Sequence, residues 1–218
     1  MKIGVLFDLD GTLLDSLDDL TDAVNHTLRL FGCPEHTREH VRCAIGNGAR
    51  QLIRLSVPQD KDEPFVDEVL KAYQKYYADN CRIKTRPYDG VLEALAQLQE
   101  KYPVAIVSNK PDVAVKPLCA DYFPGVYAMG EMPDCKRKPA PDMVLKAMAQ
   151  LGVDSCIYVG DSDVDVVTAN NAGVPCLSVL WGFRDRSCIE AAGGKYFCED
   201  STRLGATLLE MLEKKDLF

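Results

Sequence analysis

The chain has 218 residues and a formal net charge of −8, with 47% hydrophobic and 27% charged residues. This composition is typical of a globular protein of one or two domains and excludes an intrinsically disordered chain. The acidic balance disfavours general binding to nucleic acids or anionic membranes, and no apolar run is long enough to cross a bilayer.

Nine cysteines are scattered along the chain without a CxxC pair. An odd number without a regular spacing predicts reduced thiols rather than a disulfide framework, and therefore a cytoplasmic protein. We expect no removable targeting peptide, because the first predicted strand begins directly after the N-terminus.

A first strand is predicted from the apolar run that begins at Ile3. It ends in Asp8, Asp10 and Gly11, so two carboxylates lie at the carboxyl end of a strand, where open α/β sheets bind ligands. Two acids this close repel each other unless a cation or a shared proton relieves them, and a hard divalent ion is the simplest relief.

A helical block follows this strand. A capping box at Ser16 and Asp19 predicts a helix that starts there and ends at Gly32. No strand pattern occurs between Leu14 and about Lys84. We therefore predict an all-helical inserted domain at 15–84, which divides a core domain made of 1–14 and 85–218.

Strands and helices alternate in the remainder of the chain. Helices are predicted at 91–98, 112–122, 142–151, 164–172 and 204–212, and strands at 104–108, 126–129, 156–160 and 175–180. Repeated βα units predict an α/β fold with a Rossmann-like, doubly wound parallel sheet and helices on both faces.

Polar residues at the ends of three predicted strands carry the chemistry. Ser108 and Asn109 follow one strand, Asp161 follows another, and Lys138 lies in the connection between them. These residues should meet Asp8 at one sheet edge. Mg²⁺ prefers such oxygen ligands, and a lysine and a hydroxyl can bind phosphate, so the pattern favours phosphoryl transfer.

Four motifs occur in fixed order along nearly the whole chain: Asp8-Leu9-Asp10-Gly11-Thr12-Leu13, Ser108-Asn109, Lys138-Pro139 and Gly160-Asp161-Ser162-x-x-Asp165. Together they resemble the motifs of the haloacid dehalogenase-like superfamily, and the helical insertion resembles its small mobile cap. Thr12 and the segment 45–50 look like the phosphoglycolate phosphatase branch.

This resemblance implies roles for the first motif. Asp8 would be the nucleophile that forms an aspartyl-phosphate, and Asp10 would protonate the leaving alcohol and then activate water. Mg²⁺ would be held by Asp8, by the backbone carbonyl of Asp10 and by Asp161. The dehalogenases of the superfamily lack an acid at the position of Asp10, so its presence argues for phosphate chemistry.

The resemblance also assigns the remaining motifs. Ser108 and Lys138 would bind the phosphoryl group, with Asn109 nearby. Thr12 and Asp165 would support the site, and Asp165 would orient Lys138 or a metal-bound water. The Ser162-x-x-Asp165 pattern is equally a capping box, and both interpretations can hold.

The cap segment with Gly46, Asn47, Gly48 and Arg50 has two interpretations. It can be a simple turn between helices. It can also be a specificity loop that closes over the pocket, in which Arg50 binds a substrate carboxylate or phosphate.

A second cluster, Cys33, His36, His40 and Cys43, has ligand types that suit zinc. The spacing is compressed and Pro34 interrupts it, so ordinary surface is the favoured interpretation.

These observations predict a Mg²⁺-dependent phosphomonoesterase that acts on a small phosphorylated metabolite, with 2-phosphoglycolate as the first candidate. The alternatives are a phosphosugar or nucleotide phosphatase, a pyrophosphatase, a β-phosphoglucomutase-like mutase, or a non-catalytic protein that binds a phosphorylated ligand. No nucleic-acid or membrane partner is expected, and the protein would be a monomer or a homodimer.

Overall fold

The computed structural model describes residues 1–214 and 217. In chain order, the strands are β1 (Ile3–Phe7), β2 (Leu14–Asp15), β3 (Arg86–Pro87), β4 (Val104–Pro111), β5 (Tyr127–Glu131), β6 (Ser155–Gly160), β7 (Cys176–Val179) and β8 (Tyr196–Cys198). The helices are α1 (Leu17–Leu30), α2 (Arg38–Ala44), α3 (Gly48–Ser56), α4 (Glu63–Asn80), α5 (Val91–Gln99), α6 (Asp112–Tyr122), α7 (Asp142–Leu151), α8 (Asp163–Ala172), α9 (Arg186–Ala191) and α10 (Leu204–Leu212).

Six strands form one parallel sheet in the order β5-β4-β1-β6-β7-β8. Strand β1 lies in the middle, with Phe7 opposite Ile106 of β4 and Val159 of β6. The chain builds β4 and β5 on one side of β1 and then crosses to β6 on the other. This reversal creates a crevice at the carboxyl end of β1, where ligands bind in sheets of this kind.

Alternate residues of β1 enter two hydrophobic clusters on opposite faces of the sheet. Val5 and Phe7 pack in a cluster with α5, α6 and α10, whereas Leu6 packs with α7, α8 and α9. Because successive side chains of a strand point to opposite faces, both faces are covered, and Val5, Leu6 and Phe7 are fully buried between them. The predicted α/β fold with a doubly wound parallel sheet is therefore confirmed.

The four helices α1–α4 lie between the short antiparallel strands β2 and β3, in which Leu14 pairs with Pro87. The buried carboxylate of Asp19, in the first turn of α1, accepts hydrogen bonds from the backbone amides of Lys84 and Thr85 at 2.8–3.0 Å and from the Thr85 hydroxyl at 2.8 Å. These contacts fasten the two ends of the helical block to each other.

The structure corrects the predicted capping box at the start of α1. Ser16 precedes the helix, but its side chain makes no capping hydrogen bond. Its hydroxyl donates instead to Oδ1 of Asp10 at 2.6 Å. The competing partner is available because the turn at 11–14 brings Asp10 back beside Ser16.

Two elements near the C-terminus were not predicted, namely α9 and the edge strand β8. Within residues 1–214 and 217, no helix has the length and apolarity needed to cross a membrane. All nine cysteines lie in this part of the chain and are free thiols, as predicted.

The Cys33, His36, His40 and Cys43 cluster does not form a metal-binding group in the described part of the chain. The two imidazole rings stack with their centroids 3.8 Å apart. Their Nε2 atoms lie 2.7 Å and 3.4 Å from backbone carbonyls of Ser56 and Leu55 at the end of α3. The two imidazole rings therefore connect the segment 36–40, at the start of α2, to the end of α3.

Candidate active site

Three carboxylates meet where β1 and β6 end. Asp8 directly follows β1, Asp161 directly follows β6, and Asp165 lies in the first turn of α8. One oxygen of each lies within 4.8 Å of the others, and all three residues are buried. An all-oxygen, anionic donor set of this kind fits a hard divalent cation such as Mg²⁺.

Asp165 links Lys138 to the start of α8. Asp165 already uses both carboxylate oxygens, because Oδ1 accepts from Nζ of Lys138 at 2.7 Å and Oδ2 accepts from the amide and hydroxyl of Ser162 at 3.1 and 2.6 Å. Ser162 in turn caps α8 through the backbone amide of Asp165, so the predicted capping box is confirmed. Asp165 therefore both closes the cap at the start of α8 and holds Lys138.

Burial strongly shifts the pKa values of Asp8 and Asp161. It raises the pKa of Asp8 from 3.8 to about 7, with the neighbouring carboxylate of Asp165 adding to the rise and Lys138 opposing it. Burial also raises the pKa of Asp161 well above its usual value, and the carboxylates of Asp165 and Asp8 raise it further. A cation between Asp8 and Asp161 would relieve this cost, which is why the cluster fits a metal ion.

Lys138 lies at the bottom of the site with its side chain 2% exposed. Its Nζ is 2.8 Å from Oδ1 of Asp8 and 2.7 Å from Oδ1 of Asp165, and it donates to the Tyr158 hydroxyl at 3.0 Å. Burial alone would lower the pKa of Lys138, but Asp165 and Asp8 raise it well above its usual value. The lysine is therefore a permanent cation beside Asp8.

Asp161 is held rigidly from two sides. Its Oδ1 accepts from the Thr12 hydroxyl at 3.1 Å, and its Oδ2 accepts from the backbone amide of Phe183 at 2.7 Å. The backbones of Gly11, with φ +84°, and Gly182 approach this carboxylate so closely that a Cβ at either position would collide with it. Glycine is required here for close approach as well as for the positive φ of Gly11.

Asp10 also lines the site, with its side chain 13% exposed. Its carboxylate does not join the metal-binding cluster. It accepts from Ser16, as described above, and from Nζ of Lys110, which lies 2.7 and 2.9 Å from its two oxygens. The carboxylate is therefore fixed by cationic and hydroxyl donors instead of by a metal.

Ser108 and Asn109 end up in different environments. Ser108 is buried beside the cavity and accepts a hydrogen bond from the backbone amide of Lys110 at 3.2 Å. The Asn109 amide group accepts from the backbone amide of Lys138 at 2.8 Å and donates to the carbonyls of Lys138 and Gly46 at 3.0 Å. Asn109 thus links the lysine loop to the helical block.

A cavity of about 200 Å³ opens from the acids toward the helical block. Gly46 and Gly48 line it, whereas Asn47 and Arg50 are not among its lining residues. The remaining wall is largely apolar. It is formed from the helical block by Leu20, Ile45, Ala49, Leu52, Tyr73, Tyr77 and Ala78, and from α6 of the core by Val113 and Ala114.

Arg50 points away from the cavity. Its Nη2 donates to Glu63 at 2.5 Å and to Asp67 at 3.1 Å, and its side chain is 45% exposed. The arginine that does line the cavity is Arg184, which follows β7 and donates to the backbone carbonyls of Arg42 and Ile45 at 3.0 and 2.5 Å.

Two residues around the site were not predicted from the sequence. Lys110 lines the cavity and makes the contacts described above, and Tyr158 bonds Lys138 from within β6. For Lys110 a signal existed, since it directly follows Ser108-Asn109. Nothing in the pattern distinguished Tyr158 from an ordinary core residue.

The chain is similar to known proteins over most of its length. Residues 5–179 match the family model described as haloacid dehalogenase-like hydrolase. A protein named phosphoglycolate phosphatase 1 from Pseudomonas aeruginosa is 36% identical over 82% of this chain and 70% of its own length. A phosphoglycolate phosphatase from Aquifex aeolicus is 34% identical, over 82% of this chain and 85% of its own.

A solved structure from Lactobacillus delbrueckii subsp. bulgaricus, provisionally named a phosphoglycolate phosphatase, superposes with a TM-score of 0.88. It is 33% identical, and the alignment covers 94% of this chain and 98% of that one. The chain belongs to the haloacid dehalogenase-like hydrolase family, and its relatives place it among the phosphatases of that family.

Proposed function

We propose that the protein is a Mg²⁺-dependent phosphomonoesterase in which Asp8 is the nucleophile. The observation that carries this proposal is the environment of Asp8, a buried carboxylate at the switch point of the sheet. It lies beside the cation of Lys138 and opens onto the cavity. Asp10, two residues further on, lines the same cavity.

The reaction follows from these positions. A carboxylate oxygen of Asp8 attacks the phosphorus, the bond from phosphorus to the leaving oxygen breaks, and Asp10 donates its proton to that oxygen. Water then attacks the phosphorus of the aspartyl-phosphate and Asp10 accepts a proton from it. The bond between Asp8 and phosphorus breaks, which releases inorganic phosphate, restores the Asp8 carboxylate and leaves Asp10 protonated as at the start.

The side chains of Asp8 and Asp161 and the backbone carbonyl of Asp10 would hold the Mg²⁺ ion. When bound, Mg²⁺ supplies positive charge that offsets the negative charge of the phosphate group. Lys138 and Ser108 would bind the phosphate oxygens, and Asp165 would keep Lys138 in place through their 2.7 Å contact.

The helical block 15–84 would act as a cap that opens for substrate and closes over the cavity. Its join to the core at β2 and β3, and the bond from Asn109 to Gly46, support this assignment. The names of the relatives favour 2-phosphoglycolate as substrate. Gly46 and Gly48 would contact it, while the surface ion pairs of Arg50 leave that residue outside the pocket.

The proposal is tested by the release of phosphate from 2-phosphoglycolate and from a panel of other phosphorylated metabolites, with Mg²⁺ and with EDTA. We expect turnover with Mg²⁺ only, and a loss of at least about 10³-fold in kcat for Asp8→Asn. The exposed acid Asp134 provides a control, and Asp134→Asn should keep wild-type turnover. Turnover by Asp8→Asn at the wild-type rate would contradict the nucleophile assignment, and metal-independent turnover would contradict the Mg²⁺ requirement.

A further inference from the structure

Lys110 lines the cavity and makes three polar contacts that the reaction above does not use. Its side chain is 4% exposed, and its Nζ donates to both carboxylate oxygens of Asp10 at 2.7 and 2.9 Å. The third contact of Nζ is the Tyr77 hydroxyl at 2.6 Å. An ammonium group has three N–H donors, so all of them are committed.

These contacts join the core to the helical block. Lys110 and Asp10 belong to the core, at the ends of β4 and β1, whereas Tyr77 lies in α4. The Tyr77 ring is buried, stacks on Tyr73 with a centroid distance of 5.5 Å, and lies 4.7 Å from Nζ of Lys110. Movement of α4 away from the core would therefore remove one of the three partners of this lysine.

Asp10 has no other cationic partner among the described residues. Its Oδ1 also accepts from Ser16, which lies between β2 and α1 in the join to the helical block. The carboxylate is thus held by one core lysine and by groups whose positions depend on the helical block. A carboxylate fixed through both oxygens has a single orientation toward the cavity.

We propose that Lys110 is a positioning residue that aims the Asp10 carboxylate at the leaving oxygen, and that Tyr77 couples this alignment to closure of the helical block. The inference rests on the proposed role of Asp10 in proton transfer. In this scheme Lys110 acts through Asp10 and makes no contact with the phosphate or the leaving group.

The experiment compares two substrates that differ in their need for a proton. The phenolate released from 4-nitrophenyl phosphate is a good leaving group without protonation, whereas the alkoxide released from 2-phosphoglycolate is not. The quantity measured is kcat/KM, because it reports the steps up to departure of the leaving group and excludes the later hydrolysis.

For Lys110→Met we expect kcat/KM to fall about 10²-fold with 2-phosphoglycolate but at most about tenfold with 4-nitrophenyl phosphate, since proton transfer contributes on this scale. For Tyr77→Phe, which removes only a hydroxyl and keeps the buried ring, we expect the same selectivity with a smaller loss of about three- to tenfold. Tyr76→Phe, on the same helix but outside the cavity, is the matched control and should leave both values unchanged.

A double variant tests whether Tyr77 acts through Lys110. In the Lys110→Met background, Tyr77→Phe should cause no additional loss with either substrate, because its partner is already absent. Thermal unfolding shows whether each variant is folded. If Lys110→Met does not fold, the difference between the two substrates for Tyr77→Phe tests the proposal.

Equal losses with both substrates, or additive losses in the double variant, would overturn this proposal while leaving the assignment of Asp8 intact. The failure of the proposed function has a different signature, namely an Asp8→Asn variant as active as the wild type. A wild-type protein without Mg²⁺-dependent turnover would overturn both.

Discussion

Replacing Asp8 by asparagine should stabilise the metal-free protein at neutral pH, although it removes the proposed nucleophile. Burial raises the pKa of Asp8 from 3.8 to about 7. Between these two pH values the folded protein keeps a proton that the unfolded chain has lost. The folded state therefore binds more protons, and its stability falls as the pH rises through this window. Asparagine, which carries no proton to lose, avoids the penalty.

The magnitude follows from the gap between the two pKa values, 3.8 and about 7. At about 1.4 kcal/mol for each factor of ten in the ionisation constant, the full penalty is about 4 kcal/mol above neutral pH and vanishes near pH 4. For a chain of this length each kcal/mol moves the Tm by about 2–4 °C. The gain in Tm for Asp8→Asn in EDTA should thus be about 8–16 °C at about pH 7.5.

Thermal unfolding followed by circular dichroism checks this expectation, with wild type, Asp8→Asn and the exposed control Asp134→Asn compared in EDTA at about pH 4 and pH 7.5. Mg²⁺ should then raise the Tm of the wild type at neutral pH more than that of Asp8→Asn. The assigned environment of Asp8 would be refuted if Asp8→Asn had a lower Tm than the wild type at neutral pH, or if the difference in Tm between the two were the same at both pH values.

Three further variants probe other parts of the site. Arg50→Gln should leave kcat/KM for 2-phosphoglycolate within about twofold of wild type, because the arginine pairs with surface acids outside the cavity; a tenfold rise in KM would place it in the pocket. Gly182→Ala should raise the Mg²⁺ concentration needed for half-maximal activity at least about tenfold, since the new Cβ displaces the carboxylate of Asp161; an unchanged Mg²⁺ titration would argue against this metal site. Asp19→Ala should cost about 2–4 kcal/mol in urea unfolding, because it leaves buried amides at the end of the helical block without an acceptor; a loss below about 0.5 kcal/mol would contradict that fastening role.

The positions of the core motifs were predictable because they depend on local order along the chain. Asp8 and Asp161 each follow a continuous apolar strand, and parallel strands necessarily bring such ends to one edge. The position of Lys138 was harder to predict, because it lies in a loop whose path depends on Asn109 and α7, and the resemblance to a family motif supported its assignment. The alternation of strands and helices likewise fixed the fold class.

The features that the sequence did not predict depend on contacts between distant segments. Serine is a common helix-capping residue, but the turn after β1 brings the Asp10 carboxylate within 2.6 Å of the Ser16 hydroxyl, which donates to it instead. Lys110 finds Asp10 from a position 100 residues away in the chain. Strand β8 has only three residues, which is too short for an alternating pattern to stand out.

The direct test of the central claim is to identify the residue that carries the phosphoryl group. The protein is mixed with 2-phosphoglycolate and Mg²⁺, quenched in acid within one turnover, digested and analysed by mass spectrometry. We expect one added phosphoryl group on the peptide that contains Asp8 and none in Asp8→Asn. With 4-nitrophenyl phosphate, whose leaving group needs no proton, the trapped fraction should be larger in Asp10→Asn than in the wild type because hydrolysis then lacks its base. A phosphoryl group on any other residue, or turnover without labelling of Asp8 in Asp10→Asn, would contradict the central claim.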